Sequence, residues 1–177
     1  MTGAVDTDLG TAIEAAAAGD DVAFARIVAA HHEDMRRVCV VMTRDEALAE
    51  DAVQSAWSIV WRKLGTLKEP ERLRPWLISV AVNQARDMLR KRRRTPETEL
   101  DSTTVRVTGG VDPATGIESL DLLAAMDHLD SEDRALIAMR YVAGFDATEL
   151  AVAIGLSPSG TRTRLERVLN RLRQELA

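Results

Sequence analysis

Apolar residues recur at intervals of three and four positions over most of the 177-residue chain. This spacing places them on one face of an α-helix. Alternation of β-branched and polar residues, which would indicate a strand, is confined to the segment "TTVRVTGG" at residues 103–110. The pattern therefore predicts an all-α fold.

Short polar residues mark where the predicted helices begin. The first helix is expected at residues 8–19, and Asp20 or Asp21 is expected to cap the second. Asp45 is expected to cap a third helix, which Gly65 ends. A fourth helix should follow the loop 65–75 and end in the basic run 90–94.

Helical spacing disappears over residues 95–116, which contain two prolines, three glycines, four acidic residues and one basic residue. Such a composition is typical of a flexible acidic linker. Spacing typical of helices returns afterwards. The chain is thus predicted to form two small helical domains, at residues 1–94 and 117–177.

The second domain has the pattern of a helix-turn-helix motif. Ser131 and Asp146 are predicted helix caps, and Gly155 supplies the left-handed conformation that a tight turn between helices needs. Ser157 is then expected to cap the last helix, with Pro158 at its first position. The second helix of such a motif lies in the DNA major groove.

The last helix is rich in arginine. At about 100° per residue, Arg164, Arg167 and Arg171 are predicted to lie opposite the apolar stripe, whereas Arg162 and Arg173 lie on one flank. Thr161 is predicted to face inward. A solvated helix face is one interpretation of these arginines; contact with bases or phosphates, close to the turn, is the favoured one.

Charge is distributed in blocks along this chain of net charge −5: residues 1–60 carry −7, 61–94 carry +8, 95–156 carry −9 and 157–177 carry +3. Two separate basic surfaces on an acidic body are compatible with nucleic-acid binding. The basic run 90–94 has two interpretations: a solvated helix end, stabilised by the negative pole of the helix dipole, or a surface that binds successive phosphates of a nucleic acid.

Other chemistries find little support. His31, His32 and His128 show no metal-ligand spacing, and no glycine-rich loop is present to hold phosphate, so neither an enzyme nor a cofactor is expected. The single Cys39 excludes an internal disulfide and is expected to be buried. No apolar run approaches the roughly 18 residues that span a bilayer, and the N-terminus has acidic residues where a secretory signal has basic ones. A cytoplasmic protein without membrane insertion is expected, and no pattern decides whether His31, His32 or Cys39 has a sensing role.

Two segments together resemble a known family. "AEDAVQSAWSIVWRKL" followed by "RPWLISVAVNQARDMLRKRRR" resembles region 2 of bacterial RNA polymerase sigma factors, and "LDSEDRALIAMRYVAGFDATELAVAIGLSPSGTRTRLERVLNRLR" resembles region 4. The absence of predicted helices between them is similar to the small extracytoplasmic-function (ECF) group. The resemblance implies a promoter-specificity subunit that binds core RNA polymerase and recognises the −10 and −35 promoter elements.

The resemblance also implies site residues. The residues that match the helix docking on the β′ clamp helices of core polymerase are Asp51, Gln54, Trp57 and Trp61. Those matching the part that melts and reads the −10 element as single strand are Trp76, Asn83, Arg86, Asp87, Arg90 and Lys91. Those matching the part that contacts the −35 duplex are Ser157, Arg162, Thr163, Arg164 and Arg167. The resemblance also implies the β subunit of core polymerase as a partner. An anti-sigma factor is a further expected partner.

The residues alone leave alternatives open. Trp57 and Trp61, four residues apart, either stack on bases or are buried, and burial is the commoner outcome for tryptophan. A helix-turn-helix regulator, with a sensory or dimerising bundle in residues 1–94, would use the same C-terminal motif; a third alternative is a helical adaptor with solvated arginines.

Overall fold

The computed structural model describes residues 3–94 and 124–176 of the chain. All regular structure within these residues is helical, which confirms the predicted fold class. The predicted linker at residues 95–116 lies outside them. The N-terminal domain contains α1 (Gly3–Ala17), α2 (Asp21–Thr43), α3 (Glu46–Lys63) and α4 (Leu73–Arg94).

The helix starts of this domain follow the predicted caps. The carboxylate of Asp20 accepts from the backbone amides of Val22 and Ala23 at 2.8 and 3.0 Å, and that of Asp45 accepts from Leu48 at 2.9 Å. Each carboxylate satisfies amides that have no partner inside the helix. Two short 3-10 turns, Leu64–Thr66 and Pro70–Arg72, lead from α3 to α4.

The described part of the C-terminal domain starts at a helical turn, residues 124–127. It continues with α5 (Ser131–Ile137), a π-helical turn (Ala138–Val142), α6 (Ala147–Ile154) and α7 (Pro158–Glu175). The prediction that Ser131 caps α5 is wrong, because Ser131 is already the first helical residue. Asp130 is the cap: its backbone is extended and its carboxylate accepts from the amide of Asp133 at 2.8 Å.

The helix-turn-helix motif is formed by α6, the turn and α7. Asp146 caps α6 in a capping box with Glu149, as predicted. Gly155 has φ of 69°, the left-handed conformation that ends a helix. The Ser157 hydroxyl then accepts from the amide of Gly160 at 3.1 Å and starts α7.

The two domains pack against each other, and their buried apolar residues form one continuous cluster. Helix α2 packs on α5 and on the π-helical turn. Polar contacts fix the interface: Arg134 donates to the carbonyl of Met42 at 2.8 Å, and Arg44 pairs with Asp127 at 2.7 Å. Burial lowers the pKa of Arg134.

Candidate nucleic-acid interface

Helix α4 presents a basic surface next to a partly exposed tryptophan. The inner face of this helix is buried against the rest of the domain and consists of Leu73, Leu77, Ile78, Ala81, Val82 and Ala85. Trp76 is half-buried and Asn83 is exposed, two turns apart on the outer side. These two predicted site residues lie together on one surface.

The same two residues line a cavity between the domains. Its volume is about 230 Å³, and its walls are mostly apolar. The wall from the N-terminal domain includes Trp76, Ser79 and Asn83, and the opposite wall is α6, with Val152 and Ala153. The outer surface of α4 thus faces the first helix of the helix-turn-helix motif.

Arg86 lies at the edge of this surface and is held from both sides. Its Nε lies 2.7 Å from the carboxylate of Glu132 on α5, and its Nη1 donates to Asn83 at 3.1 Å. The contact between Nε and Glu132 is an ion pair without a hydrogen bond, because the angle at the N–H does not suit one. Only 16% of the Arg86 side chain is exposed.

Toward its C-terminal end α4 becomes wholly exposed. Arg90 pairs with Asp87 one turn earlier, and Arg92 pairs with Asp45 at 2.9 Å. The hydrogen bond from the amide of Leu48, together with this contact, lowers the pKa of Asp45. Lys91 is exposed on the same end of the helix. The positive charge is favourably placed at the negative pole of the helix dipole.

Helix α3 presents a second surface. Asp51, Gln54 and Trp61 are exposed, and their spacing of three and seven places them on one side of the helix. Trp57 is not part of this surface: it is 7% exposed, and its Nε1 donates to His32 at 3.2 Å. Phe24 packs edge-on against both tryptophans, with ring centroids 5.8 and 4.7 Å away.

Helix α7 buries one face and exposes the other. Thr161, Val168 and Leu172 are buried, which confirms that Thr161 faces inward. The residues on the exposed side are Arg162, Thr163, Glu166, Arg167 and Asn170. Among the described residues, neither Arg162 nor Arg167 forms a hydrogen bond or ion pair with another side chain. They are the two arginines near the turn that are free to bind a ligand.

Arg164 differs from its predicted orientation. Its Nε and Nη2 lie 2.9 and 2.8 Å from the carboxylate of Asp133, a residue of α5 that is buried within the domain. The angular prediction centred the apolar face on Leu165, but the buried residues Thr161, Val168 and Leu172 centre it closer to Arg164. The prediction that Arg164 lies opposite the core is therefore wrong.

Arg74 and His31, to which the sequence pattern assigned no role, and Cys39, which was expected to be buried, lie outside these surfaces. Arg74 donates to Asp34 at 2.8 Å and to the carbonyl of Ala143 at 2.6 Å, so it links the two domains. Burial lowers the pKa of His31, which lies beside this pair. Cys39 is buried, and burial raises the pKa of its thiol to about 12, so it is protonated at neutral pH. No sequence signal identified Arg74 or Asp133, because their roles depend on contacts distant along the chain.

Within residues 9–94 and 124–176, no cluster of three or more His, Cys, Asp or Glu side chains is suited to hold a metal ion. No helix in that part is both long and apolar enough to cross a membrane.

The fold and the surfaces together define the class of protein: a two-domain helical protein with a helix-turn-helix motif and basic surfaces on α4 and α7.

Comparison with known proteins gives the family. Residues 27–95 match the family model for Sigma-70 region 2, and residues 119–172 match that for Sigma-70, region 4. The chain is 30% identical over 159 residues to RNA polymerase sigma factor CarQ of Myxococcus xanthus, covering 89% of this chain and 91% of CarQ. It is 31% identical over 168 residues to the probable RNA polymerase sigma factor RfaY of Xanthomonas campestris pv. campestris, covering 91% of this chain and 42% of RfaY. The ECF sigma factor SigM of Mycobacterium tuberculosis is 26% identical over 157 residues, with 88% of this chain and 78% of SigM covered.

Solved structures share the fold. A structure of CnrH in complex with the cytosolic domain of CnrY has a TM-score of 0.68 and 23% identity, and covers 94% of this chain and 95% of that one. RpoE of Bartonella quintana, solved with the anti-sigma factor NepR, has a TM-score of 0.68 and 21% identity, covering 86% and 96%. The chain belongs to the ECF group of RNA polymerase sigma factors. Its function is that of a sigma factor in promoter-specific transcription initiation.

Proposed function

We propose that three helix faces divide the work of this sigma factor. Helix α3 binds core polymerase, α4 with the preceding turns holds the −10 element as single strand, and α7 contacts the −35 element as duplex. One observation supports this division most strongly: the two basic surfaces lie on different domains, one beside Trp76 and the other directly after the helix-turn-helix turn.

On α3, the exposed residues Asp51, Gln54 and Trp61 are the proposed contacts with the β′ clamp helices. An exposed tryptophan flanked by polar groups is the kind of anchor found at the centre of protein interfaces. Trp57 supports this surface and does not itself contact polymerase, because it is buried beneath the surface and packs on the same Phe24 ring as Trp61.

On α4, the half-buried Trp76 offers a flat apolar face on which an unpaired base stacks, and Asn83 offers an amide for its edge. Arg90, Lys91 and the arginines that follow provide positive charge for the backbone of the displaced strand. Asp87 holds Arg90 by their ion pair and so sets its direction.

On α7, Arg162, Thr163 and Arg167 lie on the exposed side within the first three turns, where a recognition helix meets base edges and phosphates. Ser157 caps the helix and fixes its first turn. The positive end of the helix dipole adds to the attraction for phosphate.

Promoter binding requires the two domains to separate. In the structure, Trp76 and Asn83 face α6 across the cavity, and Arg86 is paired with Glu132. A DNA strand that occupied this surface would displace α6 and break that ion pair. We therefore infer that the packed arrangement belongs to the free protein and that the polymerase complex holds the domains apart.

We further infer that the protein acts in the cytoplasm, by binding rather than by catalysis, with core polymerase and promoter DNA as partners. An anti-sigma factor is a proposed third partner, since the matched CnrH and RpoE structures were solved in complexes, the latter with a protein named as an anti-sigma factor.

Runoff transcription tests the proposal. Core polymerase plus this chain should give promoter-dependent products from genomic fragments, whereas core polymerase alone should not. An ordinary helix-turn-helix regulator would instead bind duplex DNA specifically without polymerase. Absence of both transcription and core binding would exclude the proposed function, and a gel shift with the chain alone would identify the regulator.

A further inference from the structure

Asp133 is a buried acid in the second domain that the proposed contacts do not use. Its side chain is only 3% exposed, although it lies in the first turn of α5. A buried carboxylate is strongly disfavoured unless cations or hydrogen-bond donors surround it. Its partners therefore indicate why an acid is present at this position.

Two arginines from the recognition helix supply the compensation. Arg164 places Nε and Nη2 at 2.9 and 2.8 Å from Oδ1 of Asp133, and Arg171 places Nη1 at 3.6 Å from Oδ2. The arginines are seven positions apart, two turns along one flank of α7. Arg171 also donates to the carbonyl of His128 at 3.3 Å. The acid thus fastens α7 to α5 over two turns.

This pairing decides which arginines are free to meet DNA. Arg164 stands between Thr163 and Leu165, close to the proposed contacts, yet only 25% of its side chain is exposed. Turning it toward a phosphate would leave Asp133 buried with one distant partner. Arg162 and Arg167 carry no such penalty, because no described side chain pairs with them.

We propose that Asp133 is a positioning residue for −35 recognition. It withdraws Arg164 from the DNA and sets the rotation of α7 on α5, so that Arg162, Thr163 and Arg167 face the duplex. This inference rests on the proposed function of α7. It deepens that function, because it assigns the orientation of the reading face to an acid that never touches DNA.

The salt dependence of promoter binding tests the proposal. Each phosphate that a cation neutralises contributes about −0.9 to the slope of log K against log salt concentration on duplex DNA. The holoenzyme is assembled with the full chain, and its affinity is measured on a promoter fragment selected by runoff transcription. The same fragment with a scrambled −35 element measures sequence discrimination.

Four variants give distinct expected results. Arg167→Gln should flatten the slope by about one, whereas Arg164→Gln should leave it unchanged. Asp133→Asn keeps the shape but frees Arg164, so the slope should steepen by up to about one and discrimination should fall. Asp133→Asn combined with Arg164→Gln should restore the original slope. Asp133→Glu, which keeps the charge, should retain discrimination better than Asp133→Asn.

A purely structural role for Asp133 would lower the thermal stability of Asp133→Asn without steepening the slope, and that result would overturn the proposal. So would a slope flattened by about one in Arg164→Gln. If Asp133→Asn fails to fold, Arg164→Gln and Asp133→Glu are measured in its place, and a slope flattened by about one in Arg164→Gln overturns the proposal. Failure of the proposed function is distinguishable, because the wild-type holoenzyme would then give no promoter-dependent complex at all.

Discussion

Arg86 on α4 and Glu132 on α5 form an ion pair with 2.7 Å between Nε and Oε1. The pair joins the helix proposed to hold the −10 element to the domain proposed to read the −35 element. The Arg86 side chain is largely covered, and its Nη1 donates to Asn83. The Arg86 guanidinium thus contacts both Asn83, on the surface proposed to bind the −10 element, and Glu132, on the domain that covers this surface.

Replacing Glu132 by glutamine should loosen the packed arrangement. Because the carboxylate is 40% exposed, the pair is expected to contribute no more than about 1 kcal/mol. That loss shifts the ratio of open to packed molecules about fivefold. Small-angle X-ray scattering of the free chain should show a larger radius of gyration.

Glu71→Gln is the matched control, since Glu71 is exposed in the turn before α4 and forms no ion pair within the described residues. Its scattering should equal that of the wild type. If Glu132→Gln also scattered like the wild type, the ion pair would have no part in holding the domains together.

The half-buried Trp76 and the exposed Trp61 should have separate functions. Trp76→Ala removes the stacking face on α4 and should weaken binding of a single-stranded −10 oligonucleotide by about 1 to 3 kcal/mol in the holoenzyme. Trp61→Ala, on α3, should instead weaken binding of the chain to core polymerase. Fluorescence anisotropy measures both affinities. Equal losses in both assays for either variant would contradict the division of roles.

What the sequence predicted best was local. Asp20, Asp45 and Asp146 satisfy amides within three residues of themselves, so the sequence pattern contains the whole interaction. Orientation was harder to predict. Arg164 lies on a flank that helical angles alone placed opposite the core, because Asp133, 31 positions earlier, had no visible connection with it.

The packing of the two domains was also absent from the sequence prediction. Arg74 and Arg134 link the domains by donating to the backbone carbonyls of Ala143 and Met42. Because every residue has a backbone carbonyl, the residue type does not reveal which one accepts a hydrogen bond. An acidic segment between two helical patterns predicted a tether. Nothing in a tether's composition states whether the domains that it joins are in contact.

The turn of the helix-turn-helix motif should depend on Gly155. With φ of 69°, this position tolerates glycine but strains an L-amino acid by roughly 1 to 2 kcal/mol. Gly155→Ala should therefore lower the free energy of unfolding by about that amount, measured by urea denaturation.

Gly10→Ala is the matched comparison, with the opposite expected sign. This glycine lies inside α1, and an added Cβ would lie 3.7 Å from Pro70, an ordinary contact. That substitution should raise stability by about 0.5 to 1 kcal/mol. Two changes of the same sign would contradict the assignment.

His31 should make the stability of the protein depend on pH in the weakly acidic range. Burial lowers its pKa below the usual 6.5; the Asp34 carboxylate opposes the shift, and the Arg74 guanidinium adds to it. The folded chain consequently favours the neutral imidazole, and its Nδ1 has no hydrogen-bond partner among the described residues.

Below pH 6.5 the unfolded chain binds a proton at His31 more readily than the folded chain does. Linkage then requires stability to fall as the pH decreases from 6.5 toward the lower pKa of the folded state, and to be fully present above 6.5. His31→Gln removes this dependence, so its free energy of unfolding should vary less between pH 6.5 and 5.5 than that of the wild type. His128→Gln, at a side chain that is 66% exposed, is the control and should keep the wild-type slope. Urea denaturation at several pH values measures all three proteins, and equal slopes for His31→Gln and the wild type would show that His31 is not the group that titrates.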